Sequence, residues 1–251
     1  MNAIILAAGF GTRLKPWTDH NPKALVPVEG KPMLERIIRK LESAGVRDIC
    51  INIHHFGEKI IDFIKENTFQ SNIIISDERE EILDTGGGVL KALKMFRDNS
   101  PVLVHNVDIL SDLNINDLFS HHESGKNDVT LVVSPRESSR ELIFDSENNL
   151  KGWHDKNKNI FIPSDINMNE ESYAYAFSGI YMINRSIAED IENVMNSEKF
   201  SIMDYFLNRE RKTNIKGLVK NDLILLDIGK PASLAQASNI LNAMSNSCCR
   251  G

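Results

Sequence analysis

The chain has 251 residues, 41% hydrophobic and 25% charged, proportions that call for a packed core and exclude general disorder. Its formal net charge of −6 argues against a nucleic-acid binder, which needs a basic face, but leaves room for a small anion held by local charge. No apolar run reaches membrane length, residues 1–10 lack the basic start of a signal peptide, and three cysteines make no disulfide framework, so a cytoplasmic protein without a membrane partner is expected.

Ala3-Ile4-Ile5-Leu6 is a short apolar run ended by Ala7-Ala8-Gly9, the pattern of a buried parallel strand. Leu34, Ile37, Ile38 and Leu41 recur at helical spacing, and Gly45 stops that helix. Strands are read at 48–53, 73–75 and 101–105, with helices between them on Ile60, Ile61 and Ile64 and on Val89, Leu90, Leu93 and Phe96. This alternation predicts an α/β fold, a doubly wound, mostly parallel Rossmann-like sheet. After Asp108 the rhythm changes. Strands at 129–133, 142–144, 150–153 and 176–182 are expected to complete the sheet and form a small extra β region covering the pocket. The polar, Asn-rich stretch 155–172 reads as a loop or ordered flap. Helices return at 187–195 and 202–207, a strand at 223–228 and a helix at 231–243, with Pro231 in its first turn. No repeat and no long linker interrupt the chain, so a single domain over 1–244 and a frayed tail at 245–251 are expected.

The chemistry concentrates after the first strand. Gly9-Phe10-Gly11-Thr12-Arg13-Leu14 lets the chain turn sharply and bring backbone N–H groups near phosphate oxygens. A Walker loop would need Gly-Lys-Ser/Thr, and a dinucleotide fingerprint would need a third glycine where Leu14 stands. Alone, such a turn is a weak signal and is equally compatible with a tight turn that binds nothing. Arg13, Lys15 and Lys23 add cations beside it, and Pro22 restrains the backbone ahead of Lys23. Asp108 follows the strand at 101–105 and Asp227 lies in the strand at 223–228. One or two carboxylates with substrate oxygens suffice for Mg²⁺, although each aspartate alone reads equally as a cap or turn residue.

Leu6-Ala7-Ala8-Gly9-Phe10-Gly11-Thr12-Arg13-Leu14, then Pro16, Pro22-Lys23 and Pro27-Val28-Glu29-Gly30-Lys31-Pro32, resembles the signature of sugar-1-phosphate nucleotidyltransferases. Asp84-Thr85-Gly86-Gly87-Gly88 is similar to the Glu-Thr-Gly-Gly-Gly of a subgroup that includes bacterial N-acetylmuramate-1-phosphate uridylyltransferases. The resemblance is dense over the first two-fifths of the chain and returns at 106–108, 177–181 and 226–229; it departs at Val107, where the family has glycine.

The resemblance implies transfer of a nucleotidyl group from a nucleoside triphosphate, UTP first, to a sugar 1-phosphate, with release of pyrophosphate, in the supply of cell-wall or surface polysaccharide precursors. It assigns catalysis to Arg13, Lys23 and Asp108, and Mg²⁺ to Asp108 and Asp227. Nucleotide binding falls to Leu6, Ala7, Ala8, Gly9, Gly11, Thr12, Arg13 and Lys23, and further to Thr85, Gly86, Gly87 and Asn106. Sugar binding falls to Ser178 and Gly179, against the plainer reading of Gly179 as an ordinary sheet glycine. The stretch 77–81 is expected near the base without a named reader, and at most one of His54 and His55 faces the crevice. The partners implied are the two substrates, with a monomer or small homo-oligomer. Two other readings stay open: a mannose- or heptose-1-phosphate guanylyltransferase using GTP, and a nucleotide-sugar sensor that binds without turnover.

Overall fold

A computed structural model describes residues 1–166, 171–229 and 231–248. In chain order the elements are β1 (Asn2–Leu6), β2 (Pro27–Val28), β3 (Lys31–Pro32), α1 (Met33–Ser43), β4 (Asp48–Ile53), α2 (Gly57–Glu66), β5 (Asn72–Asp77) and α3 (Asp84–Met95). There follow β6 (Val102–Asn106), β7 (Ile109–Ser111), α4 (Ile115–Gly125), β8 (Val129–Ser134), β9 (Arg140–Phe144), β10 (Leu150–Asp155), β11 (Ile160–Ile162) and β12 (Tyr173–Ile183). The last are α5 (Ala188–Val194), α6 (Ile202–Phe206), β13 (Ile215–Val219), β14 (Leu225–Asp227) and α7 (Pro231–Cys248).

β6, β1, β4 and β5 lie side by side and parallel, with Ile5 opposite both Ile51 and His105. This is the doubly wound half that the alternation predicts. β12 then enters antiparallel beside β6, and β9, β10 and β11 extend the sheet from it, so the ten-stranded sheet continues into the expected extra β region. α1 ends as its glycine requires: Gly45 has φ +79°, and the N–H groups of Gly45 and Val46 bond to the carbonyls of Glu42 and Leu41. One face of the sheet buries Leu34, Ile38 and Leu41 of α1 with Leu118 of α4, and the other buries Val89 and Leu93 of α3 with Tyr205 and Phe206. Helices on both faces leave the carboxyl ends of β1, β4 and β6 as the open edge where ligands bind in such sheets.

Several elements depart from the sequence expectation. The strand expected at 223–228 is the three-residue β14, which pairs antiparallel with β7 outside the main sheet. β13, unforeseen, runs parallel to β8; Gly217 in its middle is needed because a Cβ there would lie 2.9 Å from the Phe144 ring. α4 was equally unmarked by its polar, His-containing sequence, and Asn114 caps it by accepting from the N–H groups of Asn116 and Asp117. The expected flap holds β11, which pairs with the end of β10, while 167–170 lie outside the described residues. α7 is helical through Cys248, beyond the expected boundary at 244, and 249–251 lie outside the described residues.

Candidate active site

The glycine loop leaves β1 and folds back on itself. Gly11 has φ +64°, its carbonyl accepts from Leu14 N–H and from the Thr18 hydroxyl, and buried Leu14 anchors the return. A Cβ on Gly11 would stand 2.9 Å from the Cβ of Lys23, so the glycine serves the turn and also the close seating of the lysine stem. Lys23 then reaches Asp108, in the turn between β6 and β7, and pairs with its Oδ2. Both side chains are largely buried, at 13% and 15% exposure, so solvent screens this pair little.

β14 delivers the second carboxylate to the same place. Ile228 N–H donates to the Asp108 carbonyl at 2.9 Å, tying the end of β14 to the Asp108 turn. Gly229 N–H donates to Asp227 Oδ1 at 2.7 Å. A Cβ built on Gly229 would lie 2.7 Å from Arg13 Nη2, 2.7 Å from Asp227 Oδ1 and 3.2 Å from Lys23 Nζ. Gly229 thus marks one point where Arg13, Lys23 and Asp227 converge, and Asp108 joins them through its pair with Lys23. Arg13 and Asp227 stand 3.9 Å apart and half exposed, a loose pair with little hold on either group.

This donor set suits Mg²⁺. Asp108 and Asp227 bring hard oxygen donors to chain segments tied together by the Ile228–Asp108 bond, and one or two carboxylates with substrate oxygens and water meet the ion's usual demand. Among the described residues no three or more His, Cys, Asp and Glu side chains gather as a ready-made metal site, so a cation here would depend on ligand oxygens. His105, one strand position from Asn106, is no candidate base. Burial, helped by the Lys40 charge, pulls its pKa down to about 4 against the opposing bond from Nδ1–H to the Asn106 carbonyl.

A cavity of about 180 Å³ opens beside this cluster. Leu6, Ala8, Gly9, Lys23, Asn106 and Asp108 line it on one side, Asp84 and Thr85 on another. Ala7 is buried behind it, and its N–H donates to Asn52. Thr12 and Arg13 lie on the outer arm of the loop, and Arg13 joins the site at Gly229 instead. A larger cavity of about 890 Å³ shares only Glu78 with this one; its wall carries six carboxylates against three cations, a poor setting for a triphosphate.

Gly86 and Gly87, expected at the nucleotide, pack against the 198–200 chain. Their N–H groups point to the Phe200 carbonyl, at 2.9 and 3.4 Å, and a Cβ on either would strike the 198–200 chain. Neither lines the smaller cavity, and Gly87 lines the larger one. Thr85 accepts from Ile202 N–H through its hydroxyl. Of the two residues expected at the sugar, Ser178 is 2% exposed and its hydroxyl bonds to the backbone of Ile180. Gly179, with φ +76°, sits at the bulge of β12 and faces Asn106, where a Cβ would stand 2.7 Å from Nδ2.

Asn52 and Arg136 escape the sequence reading, whereas Glu78 belongs to the stretch 77–81 expected near the base without a named reader. Asn52 and Glu78 line the small cavity; the only trace of Asn52 is a polar residue between Ile51 and Ile53 of a buried strand. Arg136 follows β8 and donates through Nη2 to the Phe177 carbonyl at 2.8 Å. Loss of solvent lowers its pKa and the Asp227 charge opposes that, so Arg136 lies within the field of Asp227.

Residues 2–243 match the family profile described as Nucleotidyl transferase. The chain belongs to that family. It is 31% identical over 166 residues to the N-acetylmuramate alpha-1-phosphate uridylyltransferase of Caulobacter vibrioides, covering 65% of each chain. It is 31% identical over 199 residues to the probable mannose-1-phosphate guanylyltransferase 1 of Oryza sativa, covering 76% of this chain and 52% of that one. The chain therefore spans about half to two-thirds of the length of these curated relatives. Among solved structures, HddC from Yersinia pseudotuberculosis complexed with GMP-PN superposes with a TM-score of 0.74 at 26% identity, over 95% of this chain and 98% of that one.

Proposed function

We propose that this nucleotidyl transferase family member joins a sugar 1-phosphate to a nucleoside triphosphate and releases pyrophosphate. UTP is the favoured donor and an amino-sugar phosphate such as N-acetylmuramate 1-phosphate the favoured acceptor. The observation that carries the reading is the meeting of Arg13, Lys23 and Asp227 at Gly229, with Asp108 paired to Lys23, next to the glycine loop. Likeness to the uridylyltransferase supports UTP and the amino sugar. The second reading, a guanylyltransferase, draws support from the rice relative and from the GMP-PN complex. A sensor without turnover is disfavoured by the retention of both cations and both carboxylates.

The reaction is an in-line displacement. An oxygen of the sugar phosphate attacks the α-phosphorus, the bond to the bridging oxygen breaks, and pyrophosphate leaves. The attacking oxygen is already anionic at neutral pH, so no side chain has to remove a proton from it, in keeping with a neutral, buried His105. The chain's task is to align two anions and offset their repulsion. Arg13 stabilises the departing β- and γ-phosphates, and Lys23 orients the α-phosphate or the incoming phosphate. Asp108 and Asp227 would hold Mg²⁺, which when bound supplies charge neutralisation between the two phosphates.

Pyrophosphate release with UTP, GTP, dTTP and CTP against a panel of sugar 1-phosphates, including N-acetylmuramate and mannose, tests this reading. Release that requires UTP with an amino-sugar phosphate is expected; GTP with mannose 1-phosphate would transfer the chain to the second reading, and binding without release to the sensor. Asp108→Asn is expected to lower turnover by about 10²–10³, the usual effect of losing one electrostatic group. Near-normal turnover in that variant would remove Asp108 from the machinery.

A further inference from the structure

The end of β4 joins two parts of the small cavity that no sequence motif connects. Asn52 stands between Leu6 of β1 and Ser76 of β5 in the sheet register. Its Oδ1 accepts from Ala7 N–H at 2.6 Å, at the root of the glycine loop. Its Nδ2 donates to Glu78 Oε1 at 3.0 Å, and Glu78 Oε2 accepts from Leu83 N–H at 3.2 Å, at the start of α3. The chain of bonds thus runs from the glycine loop, through one amide and one carboxylate, to the helix that begins Asp84-Thr85. Both side chains are buried, at 3% and 2% exposure, yet both border the cavity.

The arrangement leaves no freedom in orientation. A backbone N–H can only donate, so Asn52 must present its oxygen to Ala7 and its NH₂ to Glu78. Glu78 then acts as acceptor at both ends, and its charge sits at the positive end of α3, where a helix favours an anion. His54 adds a second fastening: its Nδ1 lies 2.6 Å from the Glu78 carbonyl, and Phe10 of the glycine loop rests edge-on against its ring at 5.3 Å. Gly88, the third glycine of its run, is required by this pair, because a Cβ there would stand 2.9 Å from both Asn52 Nδ2 and Glu78 Oε1.

We infer that Asn52 and Glu78 are a positioning pair that holds the glycine loop and the start of α3 in register as the two walls of the nucleotide pocket. The inference rests on reading that cavity as the nucleotide site. The pair acts through Ala7 and Leu83, so its loss loosens the fit of the triphosphate and leaves the sugar-phosphate side unchanged.

Exchanging donor and acceptor within the pair tests this. Asn52→Asp sets two carboxylates against each other, and Glu78→Gln makes two NH₂ groups compete unless one bond is given up. The double variant N52D/E78Q restores every bond: the aspartate accepts from Ala7 N–H and from the glutamine NH₂, and the glutamine oxygen accepts from Leu83 N–H. Each single change is expected to raise the nucleotide KM about tenfold, the scale of one buried hydrogen bond lost with its partner unsatisfied. The KM for the sugar 1-phosphate should stay within about twofold, and the double variant should recover most of the nucleotide affinity. Nucleotide binding without the second substrate, followed by calorimetry with UTP and GTP, should show the same order. Where Asn52→Asp does not fold, Asn52→Ser removes both bonds without adding charge.

Unchanged nucleotide KM in the singles, an equal rise for both substrates, or a double variant no better than its parents would overturn the inference while leaving the pocket assignment standing. A wild-type chain that binds no nucleotide by calorimetry would overturn both.

Discussion

Gly229 stands where Arg13, Lys23 and Asp227 meet, and under the proposed function its missing side chain serves the chemistry more than the folding. The atoms that an added Cβ would meet are Arg13 Nη2 and Asp227 Oδ1, ends of half-exposed side chains, and at 3.2 Å the Lys23 Nζ that Asp108 holds. Such ends swing aside at small cost, so Gly229→Ala is expected to leave the thermal midpoint nearly unchanged. It should nevertheless cut turnover by about 10-fold or more, because it displaces two cations from where charge develops in the transition state. Parallel thermal unfolding and single-turnover measurements check this; equal losses in both would mean that Gly229 serves the backbone instead. At this scale the sequence was informative where chemistry is local. Arg13 and Lys23 flank one loop, and the two aspartates stand out at strand ends. Asn52 was illegible, and Glu78 was marked only as part of the stretch 77–81, because their partners, Ala7 and Leu83, are set by sheet register across 45 residues in one case and by a helix start in the other.

At the scale of elements, the start of α3 shows two requirements on one short glycine run. Helix propensity alone would favour alanine over glycine at these positions by about 1 kcal/mol. The packing reverses that preference. A Cβ on Gly87 would lie 2.0 Å from the Glu198 carbonyl oxygen, and one on Gly86 would lie 2.3 Å from the Phe200 ring and 2.8 Å from its carbonyl oxygen. Backbone cannot move aside as a side-chain end can, so Gly87→Ala is expected to destabilise the fold by about 1–3 kcal/mol, the range for overpacking. Urea unfolding would reveal it, and an unchanged or raised midpoint would mean that the 198–200 segment yields. The glycine run was therefore visible as a motif while one of its reasons was hidden: the chain that presses on it comes from more than a hundred residues away. A distant partner also explains why β13 was missed and why β14, read at 223–228, was placed without its pairing. Each is short and carries weak alternation, and each exists because a partner strand, β8 or β7, offers it hydrogen bonds.

The whole molecule places its central strand where water does not reach, and that strand carries a histidine. His105 sits in β6 between β1 and β12, opposite Ile5 on one side and Ile180 on the other. Burial is the largest cause of its lowered pKa, the Lys40 charge adds to it, and the bond to the Asn106 carbonyl only partly offsets them. His122, bonded to Thr130 and Asn184, is shifted the same way, again chiefly by burial. A depressed histidine pKa costs stability as pH falls. Above the unfolded value of 6.5 both states are neutral at His105 and nothing changes; below it the unfolded chain gains a proton that the folded chain refuses until about pH 4. The loss therefore develops between 6.5 and about 4, and amounts to roughly 3 kcal/mol at most for His105. Carboxylates held below their ordinary values, Asp77 and Asp145 at about 2 with Glu42, Glu58 and Asp98 lowered as well, add their own loss only as pH falls toward the unfolded values of 3.8 and 4.5, so the fall between pH 7.5 and 5.5 is the part that reports the histidines. Equilibrium urea unfolding at pH 7.5, 5.5 and 4.5 should show falling stability in the wild type. His105→Gln, which keeps an N–H for the Asn106 carbonyl but cannot titrate, should show a shallower fall. A wild-type curve flat across that range would mean that His105 accepts its proton in the folded chain, and the packing of the central strand would have to admit a charge.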